Sequence, residues 1–335
     1  MKKQNDCTKR EENKGMLERD SIRTDLALEE KERFENDNVE IPGVILEEEY
    51  DEESELRVTR VKIETEKGAK IMGKPVGVYL TLEAPNLGMK DEDYHREISE
   101  KLAEYIENLI QEKVEKENDI SILIVGLGNR NVTPDALGPY VVDHLYVTRH
   151  IVKEYGKYAL ENKERKYISA IAPGVMGQTG METSEIIKGI VQETRPDLVI
   201  AVDALAARNC KRLNRTIQIS DAGIHPGSGV GNHRNGLNQK LLGVPVLGIG
   251  VPTVVNAATI VNDTMENLLN VLESSKTLKC AGNILHAYTE SEKYELIKEV
   301  IAPQMNGMYV TLKEEDELIE QMSYTISEAL NFLFV

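Results

Sequence analysis

The sequence lacks a surplus of positive charge, a set of paired cysteines and any long apolar run. Its 335 residues carry 57 Asp and Glu against 40 Lys and Arg, and the net charge of −17 argues against the basic face of a general nucleic-acid binder. Cys7, Cys210 and Cys280 are too widely spaced for a disulfide framework or a CxxC metal site. No apolar run approaches the roughly 20 residues of a membrane span, and the N-terminus has no signal-peptide core. We therefore expect a soluble cytoplasmic protein with no direct nucleic-acid or membrane partner.

Charge divides the first sixty residues into two parts. Residues 1–25 hold seven Lys and Arg and six Asp and Glu, whereas residues 28–56 hold thirteen Asp and Glu against two basic residues. Composition favours a mobile polar tail followed by a solvated acidic stretch. A sharper hypothesis is a detachable leader, residues 1–25, that lies against an acidic body. We expect an acidic linker over 26–56, with folded structure beginning near Pro42.

The rest of the chain alternates apolar strands with amphipathic helices. Strands are predicted at 58–65, 76–82, 119–126, 167–172, 197–203, 216–220 and 244–251, and helices at 92–116, 139–155, 256–274 and 314–333. Residues 66–68 predict a turn, and Thr179 with Glu182 predicts a capping box that opens a helix ending at Thr194. This order predicts a single α/β domain over 57–335. We expect a layered α/β/α arrangement, phosphorylase/hydrolase-like, with a largely parallel central sheet and a small N-terminal β extension.

Four unusual loops follow predicted strands, where ligands collect in parallel sheets. They cover residues 126–138, 172–180, 203–208 and 221–236, and the first and third each contain an aspartate of interest, Asp135 and Asp203. Two neighbouring carboxylates cannot both ionise easily, so one can act as a general acid while the other activates water. The alternatives are structural: Asp135 caps a helix, and Asp203 is satisfied by backbone amides or pairs with Arg208.

Other residues of these loops either support the proposed site or have a purely structural role. Supporting roles are assigned to Gly126, Gly128, Asn129, Gly174, Gly177, Thr179 and His225. Glycine-flanked amides can stabilise an oxyanion, although tight turns explain the same glycines. His225 and His233 read as polar loop residues or as ligands. The dinucleotide fingerprint fails at Asn131, and phosphate-loop, HExxH, Gly-x-Ser-x-Gly and pepsin-type motifs are absent from the sequence.

Several long strings resemble the spore germination protease family. They are SIRTDLALE at 21–29, TPDALG at 133–138, PGVMGQTG at 173–180, VDALAAR at 202–208, HPGSGVGN at 225–232 and GIGVPTVV at 248–255. The resemblance implies an endopeptidase of aspartic type, and we expect no cofactor or metal. It also implies a fold similar to that of the hydrogenase maturation endopeptidases, and it puts the two implicated aspartates at Asp135 and Asp203.

The same resemblance implies a biological setting. Members are homotetramers, made as zymogens in the developing spore, that shorten themselves and later cut small acid-soluble spore proteins in the spore core. Family substrates carry an acidic residue before the cut, then an apolar residue, an alanine and a glutamate. The leader matches this order, which predicts self-cleavage between Asp25 and Leu26 and removal of a propeptide, residues 1–25. The uncleaved leader would either block the cleft or hold its loops apart.

Two other functions remain open at this point. A metal-dependent peptidase would add His225 or His233 to the two aspartates as ligands of a divalent ion. A non-catalytic acidic module would bind basic spore proteins without cutting them. In the peptidase hypothesis, Asp135 and Asp203 hold a water against the scissile carbonyl, and the sequence does not decide which is the acid and which the base.

Overall fold

A large sheet organises the molecule. The computed structural model describes residues 24–36, 41–89, 91–115, 119–156, 166–227, 235–261, 263–264 and 307–334. The strands are β1 (Val44–Asp51), β2 (Leu56–Ile63), β3 (Gly77–Glu83), β4 (Ser121–Gly126), β5 (Tyr167–Ile171), β6 (Leu198–Ala207), β7 (Thr216–Ser220), β8 (Val246–Asn256) and β9 (Tyr309–Val310). Across the sheet they run β1-β2-β3-β7-β8-β6-β4-β5, and β9 pairs with β8.

The sheet has a parallel half and an antiparallel half. Strands β8, β6, β4 and β5 are parallel neighbours, whereas β1, β2, β3, β7 and β8 form antiparallel pairs. The parallel strands are almost wholly apolar and buried, as expected of strands covered on both faces. The prediction of an α/β fold with a parallel centre is confirmed, and the N-terminal strands β1 to β3 extend the same sheet.

Helices cover both faces of the sheet. They are α1 (Ala27–Asn36), α2 (Glu66–Met72), α3 (Glu92–Lys113), α4 (Leu137–Asp143), α5 (Arg149–Tyr155), α6 (Met176–Thr179), α7 (Thr183–Thr194), α8 (Gln239–Leu242) and α9 (Glu315–Phe334). On one face, helices α3, α4 and α9 pack on side chains such as Ile122 and Val202. On the other, α7 and α8 pack on side chains such as Leu123 and Leu205. None of the helices in the described ranges has both the length and the apolarity to cross a bilayer.

Folded structure begins earlier than the sequence predicted. The expected start near Pro42 is wrong, because residues 24–31 are mostly buried and helix α1 occupies part of the stretch predicted to be an acidic linker. The apolar side chains of Leu26, Ala27 and Leu28 enter the core. Strand β1 occupies the end of the same stretch and pairs with β2 along its whole length.

Three local predictions also differ from the structure. Residues 66–68 start helix α2 and not a turn, because Thr65 Oγ1 accepts the Gly68 amide at 3.0 Å. The helix predicted at 139–155 is two helices, since the chain between them is tied to β5 through Thr148. Thr179 ends α6 and does not cap α7; there, Glu182 N–H donates to the Glu185 carboxylate at 3.0 Å.

Of the remaining helix predictions, two are confirmed and one lies only partly within the described residues. Helices α3 and α9 are confirmed, with α3 ending at Lys113. Of the helix predicted at 256–274, residues 257–261 and 263–264 are helical, and the rest lies outside the described residues.

Candidate active site

Asp203 lies within strand β6 and is almost fully buried, with 4% of its surface exposed. Its neighbour Val202 enters the core on the α3 face, so the Asp203 side chain points to the opposite face with Ala201 and Leu205. The Ala204 amide donates to Asp203 Oδ1 at 3.0 Å. The structural alternative for Asp203 is a carboxylate that accepts hydrogen bonds from backbone amides, and this contact is such a bond. It also holds the Asp203 carboxylate in one orientation.

Asp135 lies in the loop that follows β4, on a single turn of 3₁₀ helix (Thr133–Asp135). The Asn129 amide donates to both the backbone oxygen and Oδ2 of Asp135, each at 2.9 Å. Gly128 has φ +112°, and a Cβ there would lie 2.0 Å from the Asp135 oxygen, so only glycine permits this turn. The capping alternative for Asp135 is wrong, because Ala136 is the N-cap of α4 and no side chain caps it.

The loop carrying Asp135 folds against the residue that precedes Asp203. Strand β4 pairs with β6 as far as Gly126 and Val202, and the next amide, of Leu127, donates to the Val202 oxygen at 2.7 Å. Gly138 packs closely on the same oxygen, because a Cβ at position 138 would lie 2.6 Å from it. The Asp135 loop therefore lies at the edge of the sheet where Asp203 is found. The predicted loop at 203–208 is wrong, because β6 continues to Ala207 through its pairing with β8. The joint catalytic role of the two aspartates stays a prediction.

The second glycine loop reaches the first through a side chain. Gln178 Nε2 donates to Asn129 Oδ1 at 3.0 Å, which places the loop of Gly174, Gly177 and Thr179 beside the Asp135 turn. Gly174 has φ +75°, so the geometry of the turn explains why this residue is a glycine. Gly177 lies within α6 with open space around it, and the turn does not explain this glycine. Thr179 accepts the Met181 amide at 3.2 Å.

The predicted cleavage site is docked on β6 beyond Asp203. We call residues 24–27 the junction segment. The Asp25 amide donates to the Ala206 oxygen at 2.9 Å, and the Ala206 amide donates to Asp25 Oδ2 at 2.9 Å. Thr24 and Asp25 are 7% and 9% exposed, and Leu26 is fully buried in the core cluster that contains Leu205. Asp25 is thus docked on the strand that carries Asp203, three residues beyond it.

Two side chains converge on the backbone oxygen of Asp25. Lys74 Nζ donates to this oxygen at 3.0 Å and also to the Thr24 oxygen at 3.0 Å. Gln218 Nε2 donates to the Asp25 oxygen at 3.2 Å, while Gln218 Oε1 accepts the Ala27 amide at 2.7 Å. The sequence reasoning missed both residues. Lys74 gave no signal, whereas Gln218 stands out as a glutamine between two apolar residues of a strand.

Asp203 and Gln218 belong to one row of the sheet. Gly250 of β8 is in register with Asp203 on one side and with Gln218 on the other. Residues in register place their side chains on the same face, and two strand spacings separate these Cα atoms by about 10 Å. Both side chains therefore point to the face on which Leu26 is packed.

A buried arginine holds the residues that follow the junction segment. Glu29 accepts the amides of Arg208 at 2.7 Å and Asn209 at 2.9 Å, and the Arg212 guanidinium at 3.3 Å. Arg212 also contacts Glu32 and Glu83. Burial opposes the charge of Arg212, but the hydrogen bond to Glu32 and the charges of all three carboxylates outweigh it and raise the pKa of Arg212.

His225 lies near the junction segment. Its ring packs on Gly236, where a Cβ would lie 2.5 Å from His225 Cδ2. Partial burial and the charge of Lys74 lower the pKa of His225, while the charge of Asp25 raises it. Among the described residues, no three His, Cys, Asp or Glu side chains are grouped as a metal site. The metal alternative with His225 therefore has no described ligand set, and His233 lies outside the described residues.

Comparison with known proteins agrees with the motifs. The family model described as germination protease matches residues 22–283. A germination protease of Caldanaerobacter subterraneus subsp. tengcongensis is 49% identical over 92% of this chain and 93% of its own length. Those of Clostridium tetani and Bacillus subtilis are 44% and 43% identical, over 93% and 92% of this chain and 94% and 92% of their own. These matches confirm the resemblance: the chain belongs to the germination protease family, a family of peptide hydrolases.

Proposed function

We propose that the protein is a spore germination endopeptidase, made as a zymogen, that cuts itself between Asp25 and Leu26. Its substrates are small acid-soluble spore proteins, and it works as a homotetramer in the cytoplasm of the developing spore and in the spore core. The observation that carries the proposal is the docking of the junction segment on β6, three residues beyond Asp203. This docking supports the proposal because it holds the bond predicted to be cut on the strand that carries Asp203.

In this proposal Asp135 and Asp203 activate one water molecule. The ionised aspartate takes a proton from the water as it adds to the Asp25 carbonyl carbon, and the protonated aspartate delivers a proton to the Leu26 nitrogen. The C–N bond then breaks, leaving a carboxyl group on residue 25 and an amine on residue 26. The buried position of Asp203 supports such a role, because charge interactions are stronger where water is excluded.

The test is mass spectrometry of the purified full chain over time at neutral and mildly acid pH. The wild-type chain should yield a new N-terminus at Leu26. Asp203→Asn and Asp135→Asn keep the shape of the side chain but cannot exchange the proton, so each should slow cleavage by several orders of magnitude.

A matched control uses a nearby surface aspartate. Asp143 is exposed and pairs with Arg130, and the Arg130 hydrogen bond lowers the pKa of Asp143. Asp143→Asn should cleave within about twofold of wild type, since surface changes away from the site have small effects. A cut at another bond, or normal cleavage by Asp203→Asn, would sink the proposal. Normal cleavage of a spore protein by Asp203→Asn would do so equally.

A further inference from the structure

The backbone oxygen of Asp25 has an unusual set of partners. Two side chains donate to it, one a charged ammonium and one an amide, and they come from separate parts of the fold. Lys74 follows helix α2, whereas Gln218 lies in strand β7. Hydrogen bonds from a charged donor are roughly twice as strong as neutral ones, so this oxygen is strongly polarised.

The geometry of each donor is fixed before any reaction. Gln218 Oε1 accepts the Ala27 amide at 2.7 Å, which assigns the NH₂ group of Gln218 to the side facing the Asp25 oxygen. The backbone of Lys74 is held between Gly73, which ends α2 in a left-handed conformation, and Pro75, whose oxygen accepts the Tyr79 hydroxyl at 2.9 Å. Its ammonium is held by the Thr24 and Asp25 oxygens, each at 3.0 Å. Donors held in place in this way need little reorganisation when charge develops.

We propose that Lys74 and Gln218 form the oxyanion site of this enzyme and stabilise the negative charge that develops on the Asp25 oxygen during cleavage. The inference rests on the proposed function, since it takes the Asp25–Leu26 bond as the bond that is cut. The sequence suggested that amides of the loop glycines stabilise the oxyanion. The inference assigns this role to the two side chains instead. The same pair would receive the carbonyl of the residue before the cut in a separate protein substrate.

The chemistry balances with one water and no other reactant. Water adds to the carbonyl carbon of residue 25, the π electrons move to its oxygen, and Lys74 and Gln218 bind the resulting oxyanion. The ionised aspartate takes the proton that the water loses on addition. When the oxyanion collapses, the C–N bond breaks, its electrons go to the nitrogen of Leu26, and this nitrogen takes a proton from the protonated aspartate. In the intact chain the N–H group of Leu26 donates to Thr24 Oγ1 at 3.1 Å. This contact uses the hydrogen of the nitrogen and not its lone pair.

The row of the sheet supports this assignment. Gln218 and Asp203 flank Gly250 in register and point to the same face. A group bound by the Gln218 amide therefore lies on the side of the sheet to which the Asp203 carboxylate points. Oxyanion donors and an activating carboxylate must meet at one carbonyl group, and the sheet provides a common face for them.

The experiment compares self-cleavage rates of full-length lysine variants. Lys74→Met removes the ammonium and keeps most of the side-chain volume, while Lys74→Arg keeps charge and donors. Lys70→Met is the matched control, because Lys70 is an exposed residue of α2 with no place in the site. Loss of one oxyanion donor slows reactions by about 10²- to 10³-fold, which is the effect expected of Lys74→Met. Lys74→Arg should recover at least tenfold of this loss, and Lys70→Met should match wild type.

Hydrogen exchange separates catalysis from anchoring. The Asp25 and Ala27 amides, bonded to Ala206 and Gln218, should stay protected in Lys74→Met. Slow cleavage with retained protection supports the oxyanion role. A slowing of less than tenfold overturns it, and so does slow cleavage with lost protection, which would make Lys74 an anchor.

A second variant keeps the inference testable if Lys74→Met does not fold. Gln218→Glu retains an oxygen that accepts the Ala27 amide. It replaces the NH₂ group that donates to the Asp25 oxygen with a carboxylate oxygen, which repels it. It should also slow cleavage at least tenfold, and normal cleavage would overturn the inference. Failure of the proposed function looks different: the wild-type chain would not be cut at this bond, or Asp203→Asn would be cut normally.

Discussion

At the scale of single residues, Arg212 shows how a buried cation organises an acidic chain. Its side chain is 9% exposed and contacts Glu29, Glu32 and Glu83 at 3.3, 2.6 and 2.8 Å. Glu29 is itself almost fully buried. A buried carboxylate needs a partner, because its desolvation is not repaid otherwise. Arg212 therefore allows acidic residues near the N-terminus to be part of the core.

Removing Arg212 should destabilise the protein strongly. We expect Arg212→Met to lower the free energy of unfolding by about 3–5 kcal/mol, because it leaves Glu29 buried without its cation. Chemical denaturation measures this change. The double variant Arg212→Met with Glu29→Gln should recover part of the loss.

The control for this prediction is an exposed arginine. Arg130 pairs with Asp143, and both side chains are nearly half exposed, at 48% and 45%. Arg130→Met should cost less than about 1 kcal/mol, as exposed ion pairs do. Equal effects of the two substitutions would contradict the view that burial of Glu29 makes Arg212 important.

At the scale of elements, close approach of the backbone sets the position of the Asp135 turn. Gly128 and Asp135 come together so tightly that any side chain at 128 would displace the turn. Gly128→Ala should therefore slow self-cleavage by at least tenfold while the far-ultraviolet spectrum stays native. Cleavage rates and circular dichroism of the full chain check this expectation.

A glycine in open space serves as the comparison. Gly189 lies inside helix α7 with nothing within 4 Å of a Cβ. Gly189→Ala should leave cleavage unchanged and stabilise the protein by about 0.5–1 kcal/mol, because alanine favours helix. If Gly128→Ala cleaves as fast as Gly189→Ala, the position of the Asp135 turn does not govern the reaction.

The elements that the sequence predicted well are those with a strong internal signal. Strands β4, β5 and β7 lie within about two residues of their predicted bounds, because short apolar runs between turns define them. Strand β6 continues four residues past Asp203, since Ala204 to Ala207 find partners in β8. Helix α1 was missed because its stability comes from contacts with distant residues such as Arg212, which an acidic local composition does not reveal.

The candidate site divides in the same way. Asp135 and Asp203 could be singled out from the sequence because each comes after a run of apolar residues, and these two runs form neighbouring parallel strands. Lys74 could not, and Gln218 could only be noticed as a polar residue between two apolar ones, since the importance of both depends on where residue 25 docks, more than forty positions away in the chain. Long-range docking of a terminal segment leaves no periodic pattern in either partner.

At the scale of the whole molecule, the predicted cut lies inside the folded protein. Asp25 is 9% exposed and Leu26 is fully buried, and the junction segment is hydrogen bonded to β6, to β7 and to the loop after α2. A second protein molecule cannot reach this bond while the segment is docked. Each chain must therefore cut itself or expose the segment first.

Self-cleavage should consequently be first order and independent of protein concentration. Over a hundredfold range of concentration, we expect the half-time of the appearance of the Leu26 N-terminus to change by less than about twofold. Mixing gives a sharper test: wild-type protein is incubated with full-length Asp203→Asn carrying a distinguishing mass tag. The tagged chain should stay intact while its wild-type neighbours are processed, because its own site lacks the carboxylate and its junction is shielded. Cleavage of the tagged chain at a rate that rises with wild-type concentration would show that the junction segment leaves β6 often enough to enter another molecule, and the docked arrangement would then be a resting state and not the state that reacts.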